Sequence, residues 1–264
     1  MTSEAVIGIV PASVRSQEEL DRLTRCLAST RSTAPTLALL VAETGWSDGA
    51  LAPAVAAAAT ELDLVYAPCE RAEPSVGAAV ASGMGVALEL GCAAVVIDPD
   101  VELRTAGWLE RMLARTDTQG RPAAVVGART IYDGEIVEQA GVYFSLFERK
   151  LRPRYRSAPA GLPAASTPAR CPVAAGAVLI RLQTLQIVGR YDDACSAGQE
   201  TIDYCLRTFD AGLECILEPA AEAVRLRRPG VESSLPEAAV ARSESHFAAK
   251  HRAADMSPWI PAVL

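Results

Sequence analysis

Ala94-Val95-Val96-Ile97-Asp98-Pro99-Asp100-Val101-Glu102 sets four apolar residues directly against two carboxylates split by a proline. An apolar run this short, bounded by a turn signal, reads as a buried strand. Ligands of open α/β sheets bind outside the carboxyl ends of strands, so Asp98 and Asp100 stand where a site belongs. Hard cations such as Mg²⁺ and Mn²⁺ take oxygen ligands, commonly one or two carboxylates together with substrate phosphates. Alone, Asp-Pro-Asp is equally the composition of a turn that caps the next element, and its meaning depends on what surrounds it.

Short apolar runs recur on both sides of this stretch, at residues 5–10, 37–42, 64–67, 93–97, 123–127, 177–181 and 214–217. Segments of helical periodicity separate them, the pattern of an α/β domain with a mixed, mainly parallel central sheet flanked by helices. Ser16-Gln17-Glu18-Glu19 is a capping box opening a helix on which Leu20, Leu23 and Leu27 share one face. Further helices are expected over residues 105–115, 199–210, with Gly212 as the stop, and 236–252. The chain has 264 residues, half of them hydrophobic, enough for one large domain with a sizeable core. Residues 1–230 read as that domain and 231–264 as a helical extension. Within the domain, residues 153–172 are rich in Pro, Ala, Ser and Gly and follow the basic run from Arg149 to Arg156. Residues 145–170 therefore read as a mobile loop of the kind that forms lids.

Several function classes fall away. A net charge of −7 opposes a nucleic-acid scaffold, whose phosphate contacts demand a basic face. No apolar run approaches the roughly 20 residues that cross a bilayer, and Met1 to Val10 lacks the basic head and apolar stretch of a signal peptide. A cytoplasmic protein is expected. The seven cysteines, Cys26, Cys69, Cys92, Cys171, Cys195, Cys205 and Cys215, form no CxxC pair and read as reduced core residues. His246 and His251 are five residues apart, on different faces of the tail helix; a metal pair would prefer three or four.

The order of the remaining segments resembles the family 2 glycosyltransferases of the GT-A fold over nearly the whole chain. Val10-Pro11-Ala12-Ser13 matches a strand entering a nucleotide-contacting loop, and Leu39-Leu40-Val41-Ala42-Glu43 leads into the acidic turn Gly45-Trp46-Ser47-Asp48-Gly49. Gly77-Ala78-Ala79-Val80-Ala81-Ser82-Gly83-Met84-Gly85 is similar to the glycine- and alanine-rich helix start before the family's acidic strand, although close helix packing through small residues accounts for it equally. Val126-Gly127-Ala128-Arg129, with residues 133–141, matches a hairpin region. Ala175-Gly176-Ala177 and Gly198-Gln199-Glu200-Thr201-Ile202-Asp203 resemble the acceptor loop and the acidic helix that bears the base.

The resemblance implies a single GT-A domain that moves a sugar from a nucleotide-diphosphate donor to an acceptor hydroxyl with inversion. Pro11, Glu43, Asp98, Asp100 and Arg225 would contact the donor, with Asp100 holding Mg²⁺ or Mn²⁺ against the diphosphate. The family base is an Asp immediately after the Glu, where this chain has Thr201, whose hydroxyl does not ionise usefully near neutral pH. Glu200 is the substitute and Asp203 the runner-up. Relatives place a metal-binding His where this chain has Arg225, which stays protonated; Arg225, Arg227 or Arg228 would instead clamp phosphate oxygens. Two other readings stand beside this one. A catalytically degenerate domain would bind a nucleotide sugar or a partner without turnover; a nucleotidyltransferase would need a Gly-rich, Lys/Arg-bearing loop after the first strand, which the sequence lacks.

Overall fold

The computed structural model describes residues 4–68, 75–132, 136–148, 150–174, 176–196, 198–227, 236–252 and 254–260. Cys69, Arg149, Ala175 and Arg228, and residues 133–135 of the matched hairpin, lie outside them.

The first half alternates as its hydrophobic pattern requires: β1 (Val6–Ala12), α1 (Gln17–Thr33), β2 (Ala38–Glu43), α2 (Ala52–Glu61), β3 (Val65–Ala67), α3 (Val76–Leu90) and β4 (Ala93–Ile97). β1 pairs in parallel with β2 and with β4, and β2 with β3. Such strands are covered on both faces, which is why β4 is apolar throughout instead of alternating. Ser16 caps α1 by accepting from the Glu19 amide at 3.3 Å, and the Glu19 carboxylate accepts from the Arg15 amide at 2.6 Å. The glycines of α3 are packing residues. A Cβ on Gly77 would lie 2.3 Å from the Asp192 carbonyl oxygen, and one on Gly83 would meet Ile9 at 2.8 Å.

The second half is irregular: β5 (Val101–Leu103), α4 (Trp108–Ala114), β6 (Val125–Tyr132), β7 (Ile136–Gln139), β8 (Val142–Ser145), β9 (Lys150–Pro153), β10 (Ala169–Arg170), β11 (Ala177–Ile180), α5 (Leu182–Val188), α6 (Gln199–Asp210), β12 (Cys215–Arg225) and α7 (Glu237–Lys250). The main sheet runs β10-β12-β6-β11-β4-β1-β2-β3. β11 enters antiparallel between β4 and β6, whereas β12 and β6 are parallel, so the sheet is mixed. One core layer packs α1, α2 and α4 on one face through Leu23, Leu27, Val55, Trp108 and Met112. The other packs α3, α5 and α6 through Val80, Met84, Leu185 and Tyr204.

Three differences from the sequence reading have physical causes. Strands of two to four residues with mixed composition, such as Ala169–Arg170 and Lys150–Pro153, carry no alternation to read. β12 extends past residue 217 to Arg225 because a register shift between Glu218 and Glu222 absorbs Pro219 without ending the pairing with β6. The irregular loop expected over residues 145–170 contains β9, a 3-10 turn at Pro163–Ser166 and β10, with Ala165 buried against a cluster that includes Ile131, Val137 and Leu217.

α7 lies on α6 and the loop before it, where Ser243 Oγ accepts from the Ser196 amide at 2.8 Å and donates to its carbonyl at 2.9 Å. Trp259, further along, stacks on Phe209 of α6 with ring centroids 3.7 Å apart. The six described cysteines are free thiols. Among the described residues no helix is long and apolar enough to cross a membrane.

Candidate active site

A cavity of about 910 Å³ opens at the carboxyl ends of β1 and β4. Pro11 and Ser13 floor one end, Thr44 stands beside them, and Asp98, Pro99 and Asp100 form the centre. Glu200 and Thr201, at the start of α6, make the facing wall, while Arg225 and Arg227 enter from the end of β12 and Arg22 from α1. Of the residues singled out in the sequence, Pro11, Asp98, Asp100, Glu200 and Arg225 thus meet around one space. Glu43 sits just behind its wall, and Asp203 is turned away from it.

Glu43 ends β2 and is 8% exposed. Its Oε1 accepts from Ser47 Oγ at 2.8 Å and from the Gly45 amide at 3.2 Å, so the acidic turn folds back on the strand that leads into it. Its Oε2 is buried without a partner, as is Ser13 Oγ on the neighbouring strand end. Buried polar atoms normally find partners, and these two orphans lie near each other, Ser13 on the cavity wall and Glu43 behind it.

The centre is a lattice of arginines on carboxylates. Arg225, 3% exposed, donates from Nη1 to Asp98 Oδ2 at 2.7 Å and from Nε to Glu138 at 2.8 Å. Asp98 Oδ1 accepts from the Asp100 amide at 2.9 Å. Asp100 Oδ1 accepts from Arg22 Nε at 2.8 Å, and Arg227 Nε lies 2.8 Å from its Oδ2 as an ion pair. Burial pushes Asp98 toward its neutral form, but the Arg225 and Arg227 charges outweigh it and hold the carboxyl below its ordinary range. Asp100 is moved upward, by burial and by the Asp98 charge, against the pull of Arg227 and Arg22. Desolvation opposes the charge on Arg225, yet Asp98 and Glu138 drive its pKa well above the ordinary arginine value.

Glu200 is the second residue of α6, behind the left-handed Gly198 at φ 86. Burial pushes its carboxyl up to about 7, although the amides of the helix start pull the other way. Its Oε2 is buried with no partner. Thr201, where the sequence resemblance expects a base, has its Oγ1 bonded to the buried Tyr191 hydroxyl at 3.0 Å.

Asp203, the runner-up base, shares no wall with Glu200. It is fully buried and bonded to Arg207 at 2.8 Å, Lys250 at 2.7 Å and His251 at 2.8 Å. Its carboxyl is held low: burial raises it, and the bonds from His251 and Lys250 lower it further than that. A spacing of three leaves Asp203 about 60° round α6 from Glu200, and Lys250 and His251 at the end of α7 capture its side chain away from the cavity. The two histidines are likewise not a loose pair on opposite faces. They straddle Lys250, with His246 on Asp192 at 2.9 Å and His251 on Asp203. Asp192, Cys195 and His246 lie within metal-ligating distance of one another, but Lys250 Nζ already sits 2.6 Å from Asp192.

The expected Mg²⁺ or Mn²⁺ at Asp100 was tested on the donor set. Each oxygen of Asp98 and Asp100 already lies within 2.9 Å of a guanidinium or amide nitrogen, and the side chain at the expected histidine position is itself a cation. A divalent ion bound to an Asp100 oxygen would have to displace Arg22 or Arg227 from it and would stand beside the Arg225 charge as well. These residues as arranged do not fit a bound divalent cation. Arg22 and Glu138, both part of the lattice, were not singled out in the sequence; the only signal for Arg22 is its spacing of four from Glu18, which reads as an ordinary surface pair.

No protein-family model matches the chain, and no curated protein matches it. Solved structures do. GalNAc-T7 with UDP, GalNAc and Mn²⁺ superposes with a TM-score of 0.68 at 12% identity over 94% of this chain. This chain spans about half of that one, 48%. The mannosyltransferase PcManGT from Pyrobaculum calidifontis, in complex with GDP-Man and Mn²⁺, gives 0.56 at 14% identity, covering 98% of this chain and 67% of the other. A mycobacterial protein gives 0.56 at 16% identity, covering 98% and 76%. At such identities the likeness establishes the architecture, which is GT-A-like.

Proposed function

We propose that the protein transfers a sugar from a nucleoside-diphosphate donor to an acceptor hydroxyl, with inversion at the anomeric carbon. The observation that carries the reading is Glu200: a buried carboxylate with an unpartnered oxygen and a pKa near neutrality, across one cavity from a cluster of guanidiniums. A base poised near pH 7 and a bed of cations for a departing diphosphate are the two demands of glycosyl transfer to a hydroxyl. The UDP and GDP-Man of two similar structures point to the donor class.

In this scheme the nucleoside occupies the end formed by Pro11, Ser13 and Thr44, with Glu43 behind it. The diphosphate lies against Arg22, Arg225 and Arg227. Glu200 Oε2 takes the proton of the acceptor hydroxyl as its oxygen attacks the anomeric carbon from the side opposite the phosphate. The bond from that carbon to the phosphate oxygen breaks, and the nucleoside diphosphate leaves with the bonding pair. Tyr191 fixes Thr201 beside Glu200 and takes no part in the proton transfer.

Thr201 supports a second reading, a domain that binds nucleotide sugar without turnover, because its hydroxyl bonds Tyr191 where relatives carry the base. One experiment separates the two. A panel of UDP-, GDP-, dTDP- and CMP-sugars is screened by melting temperature, since a ligand of the native state raises it; the donor found is then assayed for hydrolysis and transfer. Donor consumption that Glu200→Gln abolishes supports the enzyme. Stabilisation without consumption supports the binding module, and no stabilisation by any donor removes both.

A further inference from the structure

We infer that Asp98-Pro99-Asp100 holds arginines in place of a divalent cation, and that Arg22, Arg225 and Arg227 bind the donor diphosphate without metal. The inference rests on the donor-site reading of the cavity and reverses the role of its acidic motif.

Four observations converge. Every oxygen of the two aspartates is within 2.9 Å of an N–H donor, and three of the four donors are guanidinium nitrogens. The arginines come from separate places, α1, the last residue of β12 and the residue two beyond it, so no local helix pairing explains their meeting. Their side chains are 12%, 3% and 19% exposed, so they are built into the wall. All three line the cavity.

Arg22 donates to Asp100 through Nε and to Glu18 through Nη1, and Arg227 Nε forms an ion pair with Asp100 at 2.8 Å. A guanidinium presents more N–H donors than one carboxylate can use, and its planar group matches the oxygens of a phosphate. Arg225 is braced from two sides by Asp98 and Glu138, which fixes the plane of its group before any ligand arrives. The carboxylates are then positioning residues. They neutralise the buried cations in the empty site and orient donors toward the place where the diphosphate lies, the preorganisation that a bound metal supplies elsewhere.

The test uses the full chain and four probes, UDP, GDP, dTDP and CDP, titrated calorimetrically in EDTA and in MnCl₂. At least one nucleotide is expected to bind with an affinity that changes less than about threefold between the two buffers, a difference under about 0.7 kcal/mol. Arg22→Gln and Arg227→Gln should each weaken binding in EDTA by about tenfold. Asp100→Asn should weaken it in EDTA as well, by releasing both arginines; a metal ligand would leave binding in EDTA untouched. Circular dichroism on each variant separates loss of binding from loss of fold, and Arg227→Gln alters the most exposed of the three if the others fail to fold. Binding seen only with Mn²⁺, or an Asp100→Asn variant with unchanged affinity in EDTA, overturns the inference while leaving the donor-site reading in place. Failure of all four nucleotides in both buffers overturns both.

Discussion

Arg225 and Asp98 meet at 2.7 Å between the end of β12 and the turn after β4, two strands that are not neighbours in the sheet. The register shift at Glu218/Glu222 lets β12 run on to Arg225 and pair it with Val101 of β5, beside that turn. A local irregularity in a strand therefore positions the most buried cation of the cavity. Arg225 also reaches Glu138, so one side chain ties β12 to β7 as well as to the acidic turn.

Removing this side chain leaves two carboxylates without their shared partner. Breaking a buried pair by deleting one member costs about 3–5 kcal/mol, because the remaining charge stays desolvated. Arg225→Met should destabilise the protein by about that amount in urea denaturation near neutral pH. Asp98 is held low in the folded state, so the stability it contributes is present above its unfolded value of 3.8 and is lost as pH falls through the folded value. The variant's deficit should accordingly shrink in acid. A deficit below about 1 kcal/mol at pH 7 would mean that the pairs resemble surface salt bridges in worth.

Glu200 behaves in the opposite sense. Its pKa rises from 4.5 to about 7 on folding, so the folded state binds the extra proton and stability falls as pH climbs through that window. The full interval corresponds to about 3 kcal/mol. Glu200→Gln, neutral at every pH, should be more stable than wild type at pH 8 by about 1–3 kcal/mol and equal to it near pH 4. Transfer activity should fall by about 10²–10⁴-fold. The wild-type rate should rise with pH along a limb centred near 7, as the base form appears. A flat profile between pH 5 and 8 would remove Glu200 as the base.

The sequence announced the parts of the site that lie at strand ends and helix starts. β1, β2 and β4 are apolar runs followed by Pro11, Glu43 and Asp98, and strand ends are where α/β sheets bind ligands. Gln199–Asp210 was readable to its limits because Gly198 and Gly212, both at positive φ, bracket an amphipathic run. What stayed hidden depends on tertiary contact. Arg22 and Glu138 join the cluster across 78 and 87 residues of sequence from Asp100 and Arg225, separations at which a single sequence carries no pairing signal. Asp203 reads in sequence as a runner-up base, and only the docking of α7 shows which way it turns. The hairpin of β8 and β9 escaped because Lys150–Pro153 is polar and proline-ended, the composition of a loop.

Asp203 should therefore prove structural. Asp203→Asn keeps the shape but removes the charge that His251, Lys250 and Arg207 face, and a loss of about 2–4 kcal/mol in thermal or urea unfolding is expected. Turnover of the folded variant should stay within about threefold of wild type, unlike Glu200→Gln. Asp203 is held low by these partners and Asp192 by Lys250 and His246, so the stability of α7 docking is present above about pH 4 and is lost as pH falls through the folded values. Amide exchange of α7 should rise in acid before that of the central sheet. A hundredfold loss of turnover in folded Asp203→Asn would return this residue to the mechanism.

Gly77 links helix packing to the position of Glu200. An added Cβ would lie 2.3 Å from the Asp192 carbonyl oxygen and 2.4 Å from that of Cys195, both backbone atoms that cannot rotate aside. The Gly77 amide also donates to the Cys195 carbonyl at 3.1 Å, so α3 and the segment leading into α6 are in direct backbone contact. Gly77→Ala must push that segment outward, and Gly198 and Glu200 follow immediately after it. Overpacking of this kind costs about 1–3 kcal/mol, visible as a lower midpoint in urea. Turnover should fall further than stability explains, because a shift of about 1 Å in a catalytic group costs on the order of a hundredfold. Gly49→Ala is the control: nothing lies within 4 Å of its added Cβ, and its φ is not in the left-handed region. It should change stability by less than about 0.5 kcal/mol and leave turnover unchanged. Equal effects from the two substitutions would show that the α3 contact does not position Glu200.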